Sequence, residues 1–348
     1  MNILVIGGTA FIGPRIVAQL DALGHKVTVF HRGRTGGDLP PDVEHLLCPS
    51  CLMGDRSHLY DFRNQFRECA PEVVLDMIPV TEQDAEITVE IFRPLAQRLV
   101  AVSSQDVYRA YGILLGLEGD AVQEVPIAEE GDLRTHHHPY RGSEPRSADD
   151  PHRWMDNYEK ILVERVVMQA EELAGTVLRF PMVYGPRDRQ HRTWEYLQRM
   201  DEDRPAIVLA ESLAAWRWTR GYVENIAAAA VAAITDPRAA GRIYNLGDSE
   251  ALTTEAWVAA IAQAAGWGGR IVRVPDAELP EPLRPGMQTA QHLVADTQRI
   301  RAELDFTEPT PRAEALAATI AWERDHPPEK ISDLSATYAL EDEVLAQH

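Results

Sequence analysis

The chain has 348 residues, 45% hydrophobic and 25% charged, with a formal net charge of −20. That length forms one large domain or two modest ones with ample core, and the acidic field opposes phosphate backbones and acidic membrane surfaces, so general nucleic-acid binding is disfavoured. No run of about 18 apolar residues offers a spanning helix, and no basic segment or cleavage site precedes "MNILVIGG", so a cytoplasmic protein with no membrane partner is expected.

In chain order, "NILVIG" is a short β-branched apolar run followed at once by glycines, which reads as a buried parallel strand. "AFIGPRIVAQLDALG" has helical periodicity, with Pro14 placed for a first turn and Gly24 for a stop. "HKVTVF", "EVVLDMI", "RLVAVSS" and "TVLRF" follow as strands, with "SHLYDFRNQFREC", "AEITVEIFRPLAQ" and one long helix over "RWMDNYEKILVERVVMQAEELAG" between them. This alternation predicts an α/β fold, a doubly wound parallel (Rossmann) sheet. After Phe180 the regularity loosens into "TWEYLQRM", the alanine-rich "GYVENIAAAAVAAITD", "RIYNLGD", "TTEAWVAAIAQAAG" and "RIVRVP". These predict a smaller C-terminal α/β substrate lobe. The expected division is residues 1–180 plus about 220–248 for dinucleotide binding and about 181–219 plus 249–326 for substrate, with a polar tail over 327–348.

Two side-chain clusters are read as incidental. Cys48 and Cys51 form a lone CxxC and, with Cys69, no disulfide framework; without a second pair they make neither a zinc site nor a thioredoxin-like couple. His136, His137 and His138 are adjacent and do not converge as ligands, so they read as a solvated or substrate-facing loop and no metal is expected.

The glycine-rich turn is the first motif with chemistry. Gly7, Gly8, Thr9, Ala10, Phe11, Ile12 and Gly13 lie between a strand and a helix, where backbone N–H groups at the helix start receive a pyrophosphate. The second strand ends in His31, Arg32 and Arg34 rather than an acid. Cations there pair a 2′-phosphate, which favours NADP over NAD.

Together these segments resemble the extended short-chain dehydrogenases/reductases, which include nucleotide-sugar epimerases and dehydratases. "GGTAFIG" is similar to that family's GGxGxxG turn, with Ala10 where a glycine is usual. "GDR", residues 54–56, resembles its acidic motif, which places Asp55 by the adenine with Arg56 beside it. "VAVSSQDVY" puts Ser104 at the catalytic serine, and "LRFPMVYGP" resembles the segment that passes the nicotinamide, through Pro181 and Val183. "GYVENIA" and "YNLGD" match two further family segments.

The departure lies in "MDNYEKILVER". Lys160 falls on the family's lysine, which holds the cofactor ribose, but Asp156 falls on its tyrosine. Tyr158 is two residues from Lys160, about 200° around a regular helix, and is thereby excluded from the usual role. Three readings stay open: Asp156 is the base; another group such as Tyr108, Tyr140 or the histidine loop supplies the proton; or Asp156 and Lys160 are an ordinary ion pair. Asp106 is a further acid/base candidate, because the family's dehydratases carry an acid just before the corresponding tyrosine. Arg217 and Arg220 are candidates for a substrate phosphate.

The resemblance implies an NAD(P)-dependent oxidoreductase or isomerase acting on a carbonyl/alcohol pair of a sugar-like or nucleotide-linked small molecule, with a homodimer expected of the fold. The alternative is a non-catalytic NAD(P)-binding sensor or scaffold, like the redox-sensing regulators and the chloroplast RNA-binding group among the family's atypical relatives. The charge of the chain opposes the RNA-binding version.

Overall fold

A computed structural model describes residues 1–35, 38–51, 55–119 and 121–348. Eleven strands are described in chain order: β1 (Asn2–Ile6), β2 (Lys26–His31), β3 (Glu44–Leu47), β4 (Val73–Asp76), β5 (Arg98–Ser104), β6 (Ala174–Phe180), β7 (Met182–Tyr184), β8 (Ala206–Ala210), β9 (Arg220–Tyr222), β10 (Arg242–Asn245) and β11 (Arg270–Val274). Seven form one parallel sheet in the order β10-β6-β5-β4-β1-β2-β3. The fold is α/β and Rossmann-like, and strand order reverses between β1 and β4, where such sheets leave a crevice for ligands.

The apolar runs are continuous because both faces of the sheet are covered. Alternate residues divide between two cores: Ile3 and Val5 of β1 join Val100 and Val102 of β5 in one, while Leu4 and Ile6 join Leu99 and Ala101 in the other. The first core takes the helices Gly13–Ala22 and Val223–Thr235, and the second takes Arg63–Cys69, Glu82–Phe92 and Lys160–Met168.

β8 and β11 pair in parallel outside the main sheet, as do β7 and β9. The helices Trp194–Asp201, Thr254–Ala265 and Arg312–Asp325 pack around them. The segment expected to be a polar tail contains a helix, Ser335–Leu345, anchored by buried Val344 and by buried Glu341, which accepts from Arg199 at 2.9 and 3.0 Å.

The long helix expected around Tyr158 does not form. A short 3-10 turn covers Arg153–Asn157, and the α-helix begins only at Lys160. Glu159 interrupts it: its side chain accepts from the Ile161 N–H at 3.0 Å as an N-cap, and its buried carboxylate also takes Arg134 at 3.1 Å and the His138 N–H at 2.7 Å. These bonds hold the residue in extended geometry (φ −157°, ψ 98°), and its own N–H donates to the Val80 carbonyl. A fully buried acid with these partners outweighs the weak helical preference of its neighbours.

Candidate functional site

The glycine turn follows β1 directly. Gly7 and Gly8 have φ of 91° and 78°, a region open to glycine without a steric penalty. A Cβ on Gly13 would lie 2.3 Å from the Gly8 Cα, so the helix closes on the turn only with glycine there. A cavity of about 430 Å³ opens beside it, lined by Gly7, Gly8, Thr9, Ala10, His31, Arg32, Arg34, Asp55, Arg56 and Arg189, among others. Phe11, Ile12 and Gly13 complete the turn without lining the cavity, and Gly54 of "GDR" lies outside the described residues.

These residues fit a dinucleotide. Arg56 donates to Asp76 Oδ1 at 2.7 Å, while its Nη1 is buried with no protein partner, an unmet donor at the cavity wall. The glycine turn supplies the phosphate cradle. His31 differs from the expectation of a third cation. Its ring is within 2.8 Å of His45 Nδ1 and takes the Gly33 N–H at 3.2 Å, and burial, with the neighbouring His45, pushes its pKa down. The arginines of this strand end that line the cavity are Arg32 and Arg34. The CxxC pair also departs from an incidental reading: the turn after β3, closed by the Cys51 N–H on the Cys48 carbonyl, brings the two sulfurs into a disulfide, and Cys51 lines the cavity.

A second cavity, about 230 Å³, is lined by Ser104, Gln105, Asp106, Tyr111, Tyr140, Pro181, Met182, Gln190, Arg192 and Trp218, among others. Asp106 is its chemical centre. It follows β5 in a 3-10 turn capped by Ser104, whose Oγ accepts the Asp106 N–H at 3.2 Å. The Tyr140 and Tyr158 hydroxyls both donate to Asp106 Oδ2, at 2.8 and 2.9 Å, and Oδ1 is buried without a partner. Burial raises the pKa of Asp106, with the Tyr140 hydroxyl and Arg134 acting against it. Both tyrosines are pushed above the ordinary phenol value, by burial first and then by the Asp106 charge. They are therefore neutral donors that hold a carboxylate.

Tyr158 thus reaches the site that a regular helix would have denied it, because the helix starts two residues later. Lys160 Nζ donates to the Pro79 and Val102 carbonyls at 2.5 and 2.9 Å and lies 5.6 Å from the centre of the Tyr158 ring. Burial lowers its pKa to about 8. An ammonium has three donors, so one remains.

Asp156 is elsewhere occupied. It accepts the Arg146 N–H at 2.8 Å and pairs with the Arg146 guanidinium; that backbone hydrogen bond first, and then the guanidinium, hold its pKa below the ordinary carboxylate value. The i,i+4 pairing with Lys160 fails with the helix that would have carried it. Tyr108 is locked in the core: its hydroxyl donates to Asn245 at 2.7 Å and accepts from Arg179 at 2.8 Å, and burial pushes its pKa up to about 12. In the histidine loop, the His138 N–H and the His137 ring meet Glu159, not the cavity. Val183 is buried in the core, and its carbonyl accepts from Arg192.

Arg217 and Arg220 line neither cavity. Arg217 donates to the Ala251 carbonyl at 2.9 Å. Arg220 is buried 4.7 Å from the centre of the Trp257 ring, with its Nε unpartnered and its pKa lowered by burial to about 10. The sequence reading missed a third cavity, about 360 Å³, which carries Arg199 and Arg284 beside Tyr196, Leu213 and Met287. Leu213 and Met287 share an apolar cluster with Tyr111 and Trp218 of the Asp106 cavity. No helix among the described residues is long and apolar enough to cross a membrane.

Residues 134–247 match the model of the NAD dependent epimerase/dehydratase family, a span that holds Tyr158, Lys160 and Arg220 but not the glycine turn. The chloroplast stem-loop binding protein of 41 kDa b from Arabidopsis thaliana is 25% identical over 274 residues, 76% of this chain and 64% of that protein. Among solved structures, the Bordetella bronchiseptica enzyme WbmG in complex with NAD and UDP aligns over 96% of this chain and 99% of its own, with TM-score 0.66 and 15% identity. UDP-glucose 4-epimerase from Thermotoga maritima, with UDP-glucose, aligns over 93% and 99%, with TM-score 0.64 and 18% identity. The Thermus thermophilus UDP-glucose 4-epimerase complex with NAD aligns over 94% and 100%, at 0.59 and 22%. At these identities the structural likeness establishes the fold, and function rests on the site.

Proposed function

We propose that this chain is a member of the NAD-dependent epimerase/dehydratase family and acts as an enzyme on a carbonyl/alcohol pair of a nucleotide-linked sugar. One observation carries the reading: Asp106, which lines a cavity together with Ser104, keeps one buried carboxylate oxygen without a partner while two phenol hydroxyls fix its other oxygen. A nicotinamide dinucleotide, when bound, supplies hydride acceptance and return. The turn at Gly7 and Gly8, with Arg56 Nη1, holds it, and the remaining Lys160 donor orients its ribose. Ser104 binds the substrate oxygen, and Asp106 Oδ1 takes the proton from that hydroxyl and gives it back, with Tyr158 and Tyr140 positioning the carboxylate. The role that the family resemblance offered to Asp156 is assigned here to Asp106.

The remote end of the substrate is assigned to the cavity carrying Arg199 and Arg284, whose Leu213 and Met287 pack in the same apolar cluster as Tyr111 and Trp218 of the Asp106 cavity. A nucleoside diphosphate suits the Arg284 guanidinium beside the Tyr196 ring, whereas Arg199 is already paired with Glu341. The cofactor preference is NADP over NAD, because Arg32 and Arg34 line the cavity where a carboxylate would receive the ribose of NAD.

The test has two stages. Calorimetric titration with NADP and NAD should show binding of both, tighter for NADP. NMR of UDP-sugars incubated with the loaded protein should then show conversion that Asp106→Asn lowers by roughly 10²–10⁴-fold. Binding without conversion of any sugar, in both protein forms, favours the sensor reading. The name of the Arabidopsis relative raises RNA as a second ligand. A net charge of −20 predicts that any stem-loop retention disappears between low and physiological salt.

A further inference from the structure

Residues 185–193 cross from β7 toward the glycine turn and touch both ligand cavities. Arg189 lines the dinucleotide cavity, while Gln190 and Arg192 line the Asp106 cavity. The segment is fixed at several points. Arg15 donates to the Pro186 carbonyl at 2.9 Å and to the Phe11 carbonyl at 2.6 Å, tying it to the glycine turn. Arg187 pairs with Asp38, beyond the end of β2. Buried Asp188 takes the Gln190 and Arg192 N–H groups at 3.1 and 3.2 Å and the Arg192 guanidinium at 2.6 Å. His191 is within 2.6 Å of buried Glu323 and is stacked on Trp322.

Two arginines of this segment are thus neutralised by acids, whereas Arg189 pairs with no acid among the described residues. It stands in the same cavity as Arg32 and Arg34, which likewise pair with none. Arg32, Arg34 and Arg189, from two separate parts of the chain, line one cavity whose acidic lining residue among those described is Asp55, so the balance of charge there favours an anion. The anchors on Phe11 and Asp38 bring Arg189 to the junction of the glycine turn and the β2 end, where Thr9 and Thr35 hydroxyls lie 2.7 Å apart.

We propose that Arg189 is a cofactor-phosphate ligand supplied from outside the strand-turn-helix unit, closing the dinucleotide site from the substrate side. This rests on the dinucleotide reading of the cavity and adds to it. Because Asp188 holds the turn bearing Arg189, Gln190 and Arg192, the occupants of the two cavities touch one rigid segment.

The experiment is calorimetric titration of the full chain and of Arg189→Ala with ADP-ribose and with 2′-phospho-ADP-ribose, which need no turnover. Arg189 is exposed and makes no bond to another element among the described residues, so the variant keeps the fold. Arg189→Ala should weaken binding roughly tenfold, the scale of one charge-assisted bond, and Arg189→Lys should recover most of it. A loss confined to 2′-phospho-ADP-ribose places the arginine on the 2′-phosphate, and an equal loss with both places it on the pyrophosphate. Unchanged affinity in Arg189→Ala, with the unaltered chain binding either ligand, overturns the role of Arg189 alone. Absence of binding by the unaltered chain overturns the dinucleotide reading and Arg189 with it.

Discussion

The Tyr158 hydroxyl donates to Asp106 Oδ2 at 2.9 Å, on the same oxygen that receives Tyr140 at 2.8 Å. A phenol held by a carboxylate is a poor base, since ionising it would set two negative charges side by side. In the proposed mechanism the proton-accepting group of the pair is therefore Asp106. Tyr158→Phe removes one of two supports and should lower kcat by roughly tenfold, the scale of a bond to a charged group. Asp106→Asn removes the base and should cost roughly 10²-fold or more. Steady-state kinetics of both variants on the sugar found by screening decide the order, and a larger loss in Tyr158→Phe than in Asp106→Asn would make the tyrosine the acid/base.

In the proposed mechanism Lys160 sets the alkaline side of the pH profile. With its pKa lowered to about 8 by burial, it is cationic below that value and loses its charge above it. Turnover should fall through about pH 8. The acid limb should lie above the ordinary carboxylate range, because burial raises the Asp106 pKa and only the ionised form accepts a proton. Stability moves the other way. Between about pH 8 and about 10.4 the unfolded chain binds a proton at this lysine that the folded chain has released, so the Lys160 contribution to stability rises with pH in that window. A pH-rate profile, with denaturant melts of Lys160→Met against the parent chain at pH 7 and pH 10, checks both signs.

The sheet was readable because its signals are local. The β-branched runs at Ile3–Ile6 and Leu99–Val102, split between two covered faces, need no distant partner to be recognised as parallel strands. The glycine turn was readable for the same reason. The proposed catalytic centre was not, because its decisive bonds span long separations. The start of the Lys160 helix depends on Arg134 and His138 meeting Glu159, and the place of Tyr158 depends on Asp106, 52 residues earlier. A fixed helical periodicity run through residues 153–175 sends Tyr158 away from the site, whereas a cap at Glu159 returns it. Glutamate is not among the residues favoured at an N-cap, so the sequence carried no ordinary capping signal at Glu159.

Asp156, which the family resemblance places on the tyrosine position, should be dispensable for chemistry. Its carboxylate serves Arg146, so Asp156→Asn should leave kcat within about threefold of the parent chain, the scale of a small indirect effect. It should loosen the 141–157 loop, where Arg141 donates to the Asp156 carbonyl. Faster amide exchange in that loop with unchanged kcat is the expected result. A loss in kcat comparable to that of Asp106→Asn would restore Asp156 as the base.

Asp248 carries a stability cost at neutral pH. Burial raises its pKa to about 6, against the pull of Arg312 at 3.9 Å, while Oδ1 accepts the Tyr222 N–H at 3.3 Å. An unfolded aspartate titrates near about 3.9. Between about pH 4 and pH 6 the folded chain therefore binds the extra proton, so the contribution of this group is most favourable at low pH and declines as pH rises through 6. Above 6 the full cost applies, at most about 3 kcal/mol for a shift of about two units. Asn in its place still accepts the Tyr222 N–H without burying a charge, although it gives up the attraction to Arg312. Asp248→Asn should raise Tm at pH 7.5 and give a smaller gain at pH 4.5. Equal differences in Tm at the two pH values would show that the carboxyl titrates normally in the folded chain, and that its burial is compensated by Arg312 and the Tyr222 N–H.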